Sequence, residues 1–78
     1  MYRFHLHLHE ADTIVHDHVG IMRNDLEAVR QEAVRAARDI MCADLAEGRL
    51  VLSSHIEVTD ETGEVVLSLS FRDLVEVV

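Results

Sequence analysis

The sequence predicts an α+β fold with the order β-β-α-β-β, in which one long helix packs on one face of a four-stranded, mainly antiparallel sheet. Two observations lead to this prediction. Apolar and polar residues alternate near both ends of the chain, as in half-buried strands, and apolar residues recur at helical spacing between them. Since the chain has 78 residues and no linker-like segment, we expect a single domain over residues 1–78.

The first two strands are predicted from the alternation near the N-terminus. Phe4, Leu6 and Leu8 share one face of the first strand, and three histidines share the other. Residues 10–12 are predicted to turn the chain, and residues 13–19 to return as a second strand, so that the two strands form a hairpin.

The central helix is predicted to follow a short connection over residues 20–23 and to begin with Asn24 as its N-cap, with Glu27 completing a capping box. Gly48 is expected to end the helix, because glycine readily adopts the left-handed conformation found after a last helical turn. Cys42 is interpreted as an exposed thiol. The apolar residues that share one helical face are Leu26, Val29, Ala33, Ala36, Ala37, Ile40 and Met41.

Residues 50–59 and 64–71 are predicted to form a second hairpin around a turn at residues 60–63, which ends with glycine. The tail, residues 72–78, is predicted to be either a fifth strand or a frayed end. Four of its seven residues are aliphatic, which favours contact with the sheet edge or with a second copy of the chain.

The charge balance of the chain argues against several classes of function. Its 15 acidic residues outnumber 7 arginines, and the formal net charge of −8 opposes direct binding to nucleic acids or to anionic membranes. No apolar run approaches the roughly 20 residues of a membrane span, and the N-terminus lacks the apolar stretch of a signal peptide. We therefore expect a cytoplasmic protein.

The small size of the chain favours association. A domain this short buries only about 60% of the surface that its unfolded chain exposes, and the single cysteine cannot supply an internal disulfide. We therefore expect a small interaction or accessory domain that forms a homodimer or binds a protein partner through its outer sheet face or a sheet edge. The alternative is a metal-binding protein, and a third hypothesis is an acidic inhibitor of a basic, nucleic-acid-binding partner.

Five segments form a recognisable pattern over nearly the whole chain: residues 3–8 (RFHLHL), 17–20 (DHVG), 25–28 (DLEA), 60–63 (DETG) and 67–71 (LSLSF). In this pattern the chain resembles a family of small, mostly acidic bacterial proteins classed as a domain of unknown function. The resemblance implies a β-β-α-β-β domain and transfers no activity, cofactor or catalytic residue. The chain departs from the family at Ala11, where glycine is common. His7 fits the family pattern, whereas aromatic, basic or acidic residues are more usual at the positions of His5, His9, His16 and His18.

The 6 histidines form the candidate site. A two- or four-residue first turn would place His7 opposite His16 and His5 opposite His18, and four imidazoles on one face suit zinc, nickel or copper. A three-residue turn would shift the register by one and remove two of the four from that face. The even turn is favoured, because the odd turn would point two histidines toward the helix. The further candidate ligands are His9 and His55.

Other functions remain open for the same face. Histidine is an acceptable polar residue on a solvated antiparallel sheet, and the face can also serve as a contact surface for a partner. Protonation of all 6 histidines would change the formal net charge from −8 to −2, which offers a response to mild acidification.

Catalysis is not expected from this sequence. Ser53, Ser54 and His55 are residue types of a hydrolytic triad, but neighbours on a strand point to opposite faces and cannot converge. His55 and Glu57 share a face and are interpreted as a surface pair. The chain has no nucleophile motif and no phosphate-binding glycine loop, and it is short for a pocket.

Overall fold

The computed structural model describes all 78 residues and confirms the α+β class, with one helix against a mainly antiparallel sheet. The sheet has five strands rather than four. The elements are β1 (Tyr2–Glu10), β2 (Thr13–Val15), β3 (Ile21–Arg23), α1 (Leu26–Ala46), β4 (His55–Thr59), β5 (Val65–Ser70) and a short 3-10 helix (Phe71–Leu74).

The sheet is built around β1, which is its longest strand. The strand order is β2-β1-β4-β5, and β3 pairs with β1 beyond this path. On β1, β2 pairs with residues 8–10 and β3 pairs with residues 2–4, both antiparallel. Residues 5–7 of β1 therefore have no strand partner on the edge of β1 that lies opposite β4.

The first hairpin has the favoured even turn. Glu10 pairs with Thr13, so the turn consists of two residues, and the predicted register is confirmed. Ala11 adopts a φ of +46°, a conformation in which glycine is easier to accommodate. Alanine at this family glycine position therefore still permits a tight turn.

The prediction of one continuous strand over residues 13–19 is wrong. The strand ends at Val15, and residues 21–23, expected to be a connection, pair with β1 as a separate strand. The reason lies at Asp17, which interrupts the ladder by using its own side chain as a partner for β1. The Asp17 carboxylate accepts a hydrogen bond from the backbone N–H of Leu6 at 3.1 Å, in the place of a strand carbonyl.

Gly20 lets the chain return to β1 after this interruption. Its φ is +78°, and a Cβ at this position would lie 2.8 Å from the Phe4 carbonyl oxygen. Both the backbone conformation and the close approach require glycine. β3 can therefore reach β1 only because residue 20 has no side chain.

The helix begins one residue later than predicted. Asp25, not Asn24, is the N-cap: its backbone is extended, with φ −152°, and its Oδ1 accepts a hydrogen bond from the Ala28 N–H at 2.8 Å. This bond displaces the capping box that was predicted with Asn24. Aspartate at this position also complements the positive end of the helix dipole.

The helix ends as the sequence indicates. Gly48 has a φ of +82°, and its N–H donates to the Leu45 carbonyl at 2.9 Å. The Arg49 N–H donates to the Asp44 carbonyl at 3.0 Å, which completes a Schellman motif. The predicted role of Gly48 is confirmed.

The core lies between one face of α1 and the inner face of the sheet. The buried helical residues include two alanines, Ala33 and Ala37, whose small side chains allow close approach of the helix to the strands. Leu26, expected on this face, is 42% exposed because it lies at the helix start. The buried apolar residues are Phe4, Val29, Ala33, Ala37, Met41, Ile56, Val58, Phe71 and Leu74.

The second hairpin is shorter than predicted, and the tail folds back onto the helix. β4 begins at His55 rather than at residue 50, and a bulge in β5 shifts the register between Val58 and Thr59. Phe71 and Leu74 of the 3-10 helix are buried. The Arg38 Nε donates to the Leu74 carbonyl at 3.1 Å, which ties the tail to α1. The tail therefore does not form a fifth strand.

Replacing Gly20 tests whether this close approach is required. Gly20→Ala should lower the free energy of unfolding by roughly 2–4 kcal/mol, because it combines an unfavourable φ with a backbone clash. Gly63→Ala is the matched control: its φ is +85° and its position is open, so only the conformational cost of about 1 kcal/mol applies. Urea unfolding measures the stability of both variants. Equal losses of stability would contradict the close approach of Gly20 to β1.

Candidate functional site

All 6 histidines lie on the outer face, which is the sheet face opposite α1. The pairing of β1 with β4 sets most of this arrangement: His5 lies opposite Thr59, His7 opposite Glu57, and His9 opposite His55. No second layer covers this face, so an extended polar surface forms over the centre of the sheet. The residues of the outer face that carry histidine are His5, His7, His9, His16, His18 and His55.

The four predicted ligands form a row of rings, here called the histidine row: His5, His7, His16 and His18. The rings of His5 and His7 are 6.1 Å apart between centroids, those of His7 and His16 are 5.4 Å apart, and those of His16 and His18 are 6.0 Å apart. The ligand atoms of no three of them converge within 4.8 Å of one another. Metal binding by this row therefore stays a prediction.

His5 and His7 are held by the backbone of Asp17. The Nδ1–H of His5 donates to the Asp17 carbonyl at 2.8 Å, and the Asp17 N–H donates to Nδ1 of His7 at 3.1 Å. The Nε2 of His7 lies 3.1 Å from the Thr59 hydroxyl. Because Nδ1 of His7 accepts a hydrogen bond, the neutral ring carries its proton on Nε2 and donates it to Thr59. Both ring nitrogens of His7 are thus engaged, and His7 has no free lone pair for a metal.

Several influences lower the pKa of His7 below its ordinary value of 6.5: first burial, then the neighbouring charges of His16 and His5. Protonation would also put a ring N–H against the Asp17 N–H. The unfolded chain therefore binds this proton at a higher pH than the folded chain does. It follows that the stability contributed by neutral His7 is complete above about pH 6.5 and declines as the pH falls.

The Asp17 carboxylate also organises the loop that follows it. Besides Leu6 it accepts hydrogen bonds from the N–H groups of Val19 at 3.1 Å and Gly20 at 2.9 Å. Burial alone would raise the pKa of Asp17, but these three donors outweigh it and hold the pKa below its ordinary value. Asp17 is therefore ionised at neutral pH and acts as a fixed acceptor.

A second cluster lies at the C-terminal end of β1 and consists of His9, His55 and Glu57. The rings of His9 and His55 stack at 4.3 Å between centroids with an angle of 18° between their planes. The His9 Nε2 lies 3.7 Å from the Glu57 Oε1, and one ligand atom from each of the three residues lies within 4.8 Å of the others. All three side chains are half-buried.

From the sequence alone, His9 and His55 are only further candidate ligands, and Glu57 is interpreted as half of a surface pair with His55. The cluster forms because β1 and β4 are neighbours in the sheet, which places His9 directly opposite His55. Strand order was not predictable from the alternation. The sequence does place His55 and Glu57 on one face of one strand, which gives two candidate ligands for a metal ion. The third ligand becomes evident only once the neighbouring strand is known.

The model of the family described as a domain of unknown function, DUF6894, matches residues 1–72. The chain belongs to this family. The match confirms the resemblance seen in the sequence, and it assigns no activity to the DUF6894 domain.

No curated protein and no solved structure matches the chain. No helix combines the length and the apolar character that a membrane span requires.

Replacing His7 tests its predicted effect on pH dependence. His7→Asn keeps a hydrogen-bond acceptor near the Asp17 N–H but removes the titrating ring, so the variant should lose less stability than the wild type between about pH 7.5 and 5.5. The measurement is urea unfolding at several pH values. His18→Asn, at an exposed ring without a hydrogen bond, is the control for losing one imidazole. If the free energy of unfolding depended on pH equally in the wild type and in His7→Asn, the predicted role of His7 would be contradicted.

Proposed function

We propose that this chain is a small, non-catalytic interaction domain that forms a homodimer by pairing the free edge of β5 with the same edge of a second copy. The observation that carries this proposal is the edge itself. β5 pairs with β4 alone, and its sequence, VVLSLS, contains no charge and no proline. Charged residues and proline are the usual means by which edge strands avoid pairing with other chains.

The opposite side of the sheet does not offer such an edge. β2 and β3 are each three residues long, and together with Asp17 they cover β1. β5 has six residues, with an unpaired backbone along one side. An extended partner strand therefore fits β5 better than any other edge.

The sequence of β5 favours a second copy as the partner. An antiparallel pairing centred on Ser68 would place Leu67 opposite Leu69 of the second copy, with the two leucines on the same face of the joined sheet. The other strand pairs in this register would be Ser68 with Ser68 and Val66 with Ser70, so no like charges lie opposite each other. The sequence of the strand therefore permits self-pairing without electrostatic conflict.

Exposed apolar groups near the end of β5 add to the contact surface. A groove beside the tail is lined by Leu45, Leu50, Val75 and Val77, and each of these side chains is more than a third exposed. A stable dimer buries about 1,200–2,000 Å² in total, more than one short strand pair supplies. The tail follows β5 through the 3-10 helix, and we take this groove as the additional contact surface of the dimer.

A two-fold axis perpendicular to the sheet would relate the two copies. Both helices would then lie on one side of the joined sheet, and both outer faces would form one continuous histidine-lined surface on the other. The dimer would therefore leave the histidines free for a ligand or partner.

A lysine at the centre of the edge should prevent dimer formation. Ser68 is exposed, so Ser68→Lys should leave the fold intact while placing two lysines against each other at the axis. Gln31→Lys, on the exposed side of α1, is the control because it adds the same charge elsewhere. Analytical ultracentrifugation at micromolar concentration should show dimers for the wild type and Gln31→Lys, and monomers for Ser68→Lys.

Salt provides a second readout of the same proposal. Each copy has a formal net charge of −8, so screening of the repulsion between copies should strengthen the dimer as the salt concentration rises. A wild type that stays monomeric at high salt, or a Ser68→Lys variant that dimerises as well as the control, would overturn the proposal.

A further inference from the structure

We propose that His9, His55 and Glu57 form a binding site for a divalent transition metal ion, with zinc as the reference ion. Two imidazoles and one carboxylate are a ligand set that zinc accepts, and three protein ligands leave one position open. The proposal does not depend on dimer formation, because the three residues lie on the outer face of one chain.

The spacing of the three side chains is close to that of a metal site. Ligand atoms in a tetrahedral zinc site are about 3.3 Å apart, given metal–ligand distances near 2.0–2.1 Å. The His9 Nε2 and the Glu57 Oε1 are already 3.7 Å apart, and all three ligand atoms lie within 4.8 Å of one another. Small rotations of the side chains would therefore bring them to bonding distance.

The ligand atoms of this cluster are free, which distinguishes it from the histidine row. Neither ring nitrogen of His9 or His55 makes a hydrogen bond within the chain, and the Glu57 carboxylate forms an ion pair with His9 alone. His7, by contrast, uses both of its ring nitrogens. A metal ion at the cluster would displace no existing hydrogen bond.

The backbone beneath the cluster is paired with a neighbouring strand on both sides. β1 and β4 are the two central strands of the sheet, and each has a neighbour on both sides. Ser68 lies opposite Glu57, and Ser70 lies opposite His55, so hydroxyl groups are present beside two of the ligands. Ligands on paired central strands keep their separation, which lowers the cost of organising a site.

A shallow cleft adjoins the cluster on the side of its two histidines. The cleft is lined by His9 and His55 together with Asp12, Ile14 and Ser53. A water molecule or a donor group of a small ligand can therefore reach the fourth position of the ion. The site is suited to bind an ion that remains accessible from solvent.

Isothermal titration calorimetry with zinc chloride tests the proposal directly. The wild type should bind one ion per chain, with both imidazoles in the neutral form that acts as a metal ligand. Cobalt(II) is the second probe, since its visible absorption reports coordination by protein ligands. Magnesium should not compete, because it prefers oxygen ligands.

Three variants separate this cluster from the histidine row. His55→Asn and Glu57→Gln should each weaken zinc binding at least about ten-fold, and Glu57→Gln preserves the shape of the side chain. The control is the double variant His16→Asn/His18→Asn, which removes two exposed rings and should keep the wild-type affinity. Circular dichroism confirms that each variant is folded.

Two results would overturn the proposal. One is the absence of zinc binding to the folded wild type at a hundred-micromolar concentration. The other is binding that survives both His55→Asn and Glu57→Gln but is lost in the His16→Asn/His18→Asn control, which would assign the ion to the histidine row instead.

Discussion

The attachment of Asp17 to the middle of β1 is the interaction on which the rest of the structure depends. Three consecutive residues of β1, His5, Leu6 and His7, each form a hydrogen bond with Asp17. These bonds occupy the part of the edge that β2 and β3 leave unpaired. One residue thereby joins two short strands to the same edge. It also closes that edge, so that β5 remains the long free edge of the sheet.

This attachment divides the histidines into groups with different roles. His5 and His7 are structural, because their ring nitrogens hold the Asp17 backbone. His16 and His18 are exposed, and they lie beside Asp17 along the loop. His9 and His55 stack on each other across β1 and β4 and keep their ring nitrogens free. A histidine-rich composition therefore does not indicate one site with six equivalent ligands.

Local patterns in the sequence predicted the features that depend on residues close together along the chain. The helix, its end at Gly48 and the register of the first hairpin follow from periodicity and turn chemistry. Asp17 was placed within a strand, because an alternation pattern does not reveal that a carboxylate can replace a strand carbonyl. The His9–His55 contact depends on β1 and β4 being neighbours. The 44 residues between Glu10 and His55 include the whole helix, so no local signal reports the pairing of these strands.

The most direct test of the Asp17 attachment is the tautomer of the two histidines that it holds. Two-bond nitrogen–proton correlation NMR, at a pH where the histidine rings are neutral, distinguishes a ring protonated at Nδ1 from one protonated at Nε2. We expect opposite tautomers for neighbouring rings of one strand: Nδ1–H for His5, which donates to the Asp17 carbonyl, and Nε2–H for His7, which accepts from the Asp17 N–H. The same tautomer on both rings, or signals averaged between the two forms, would contradict this expectation.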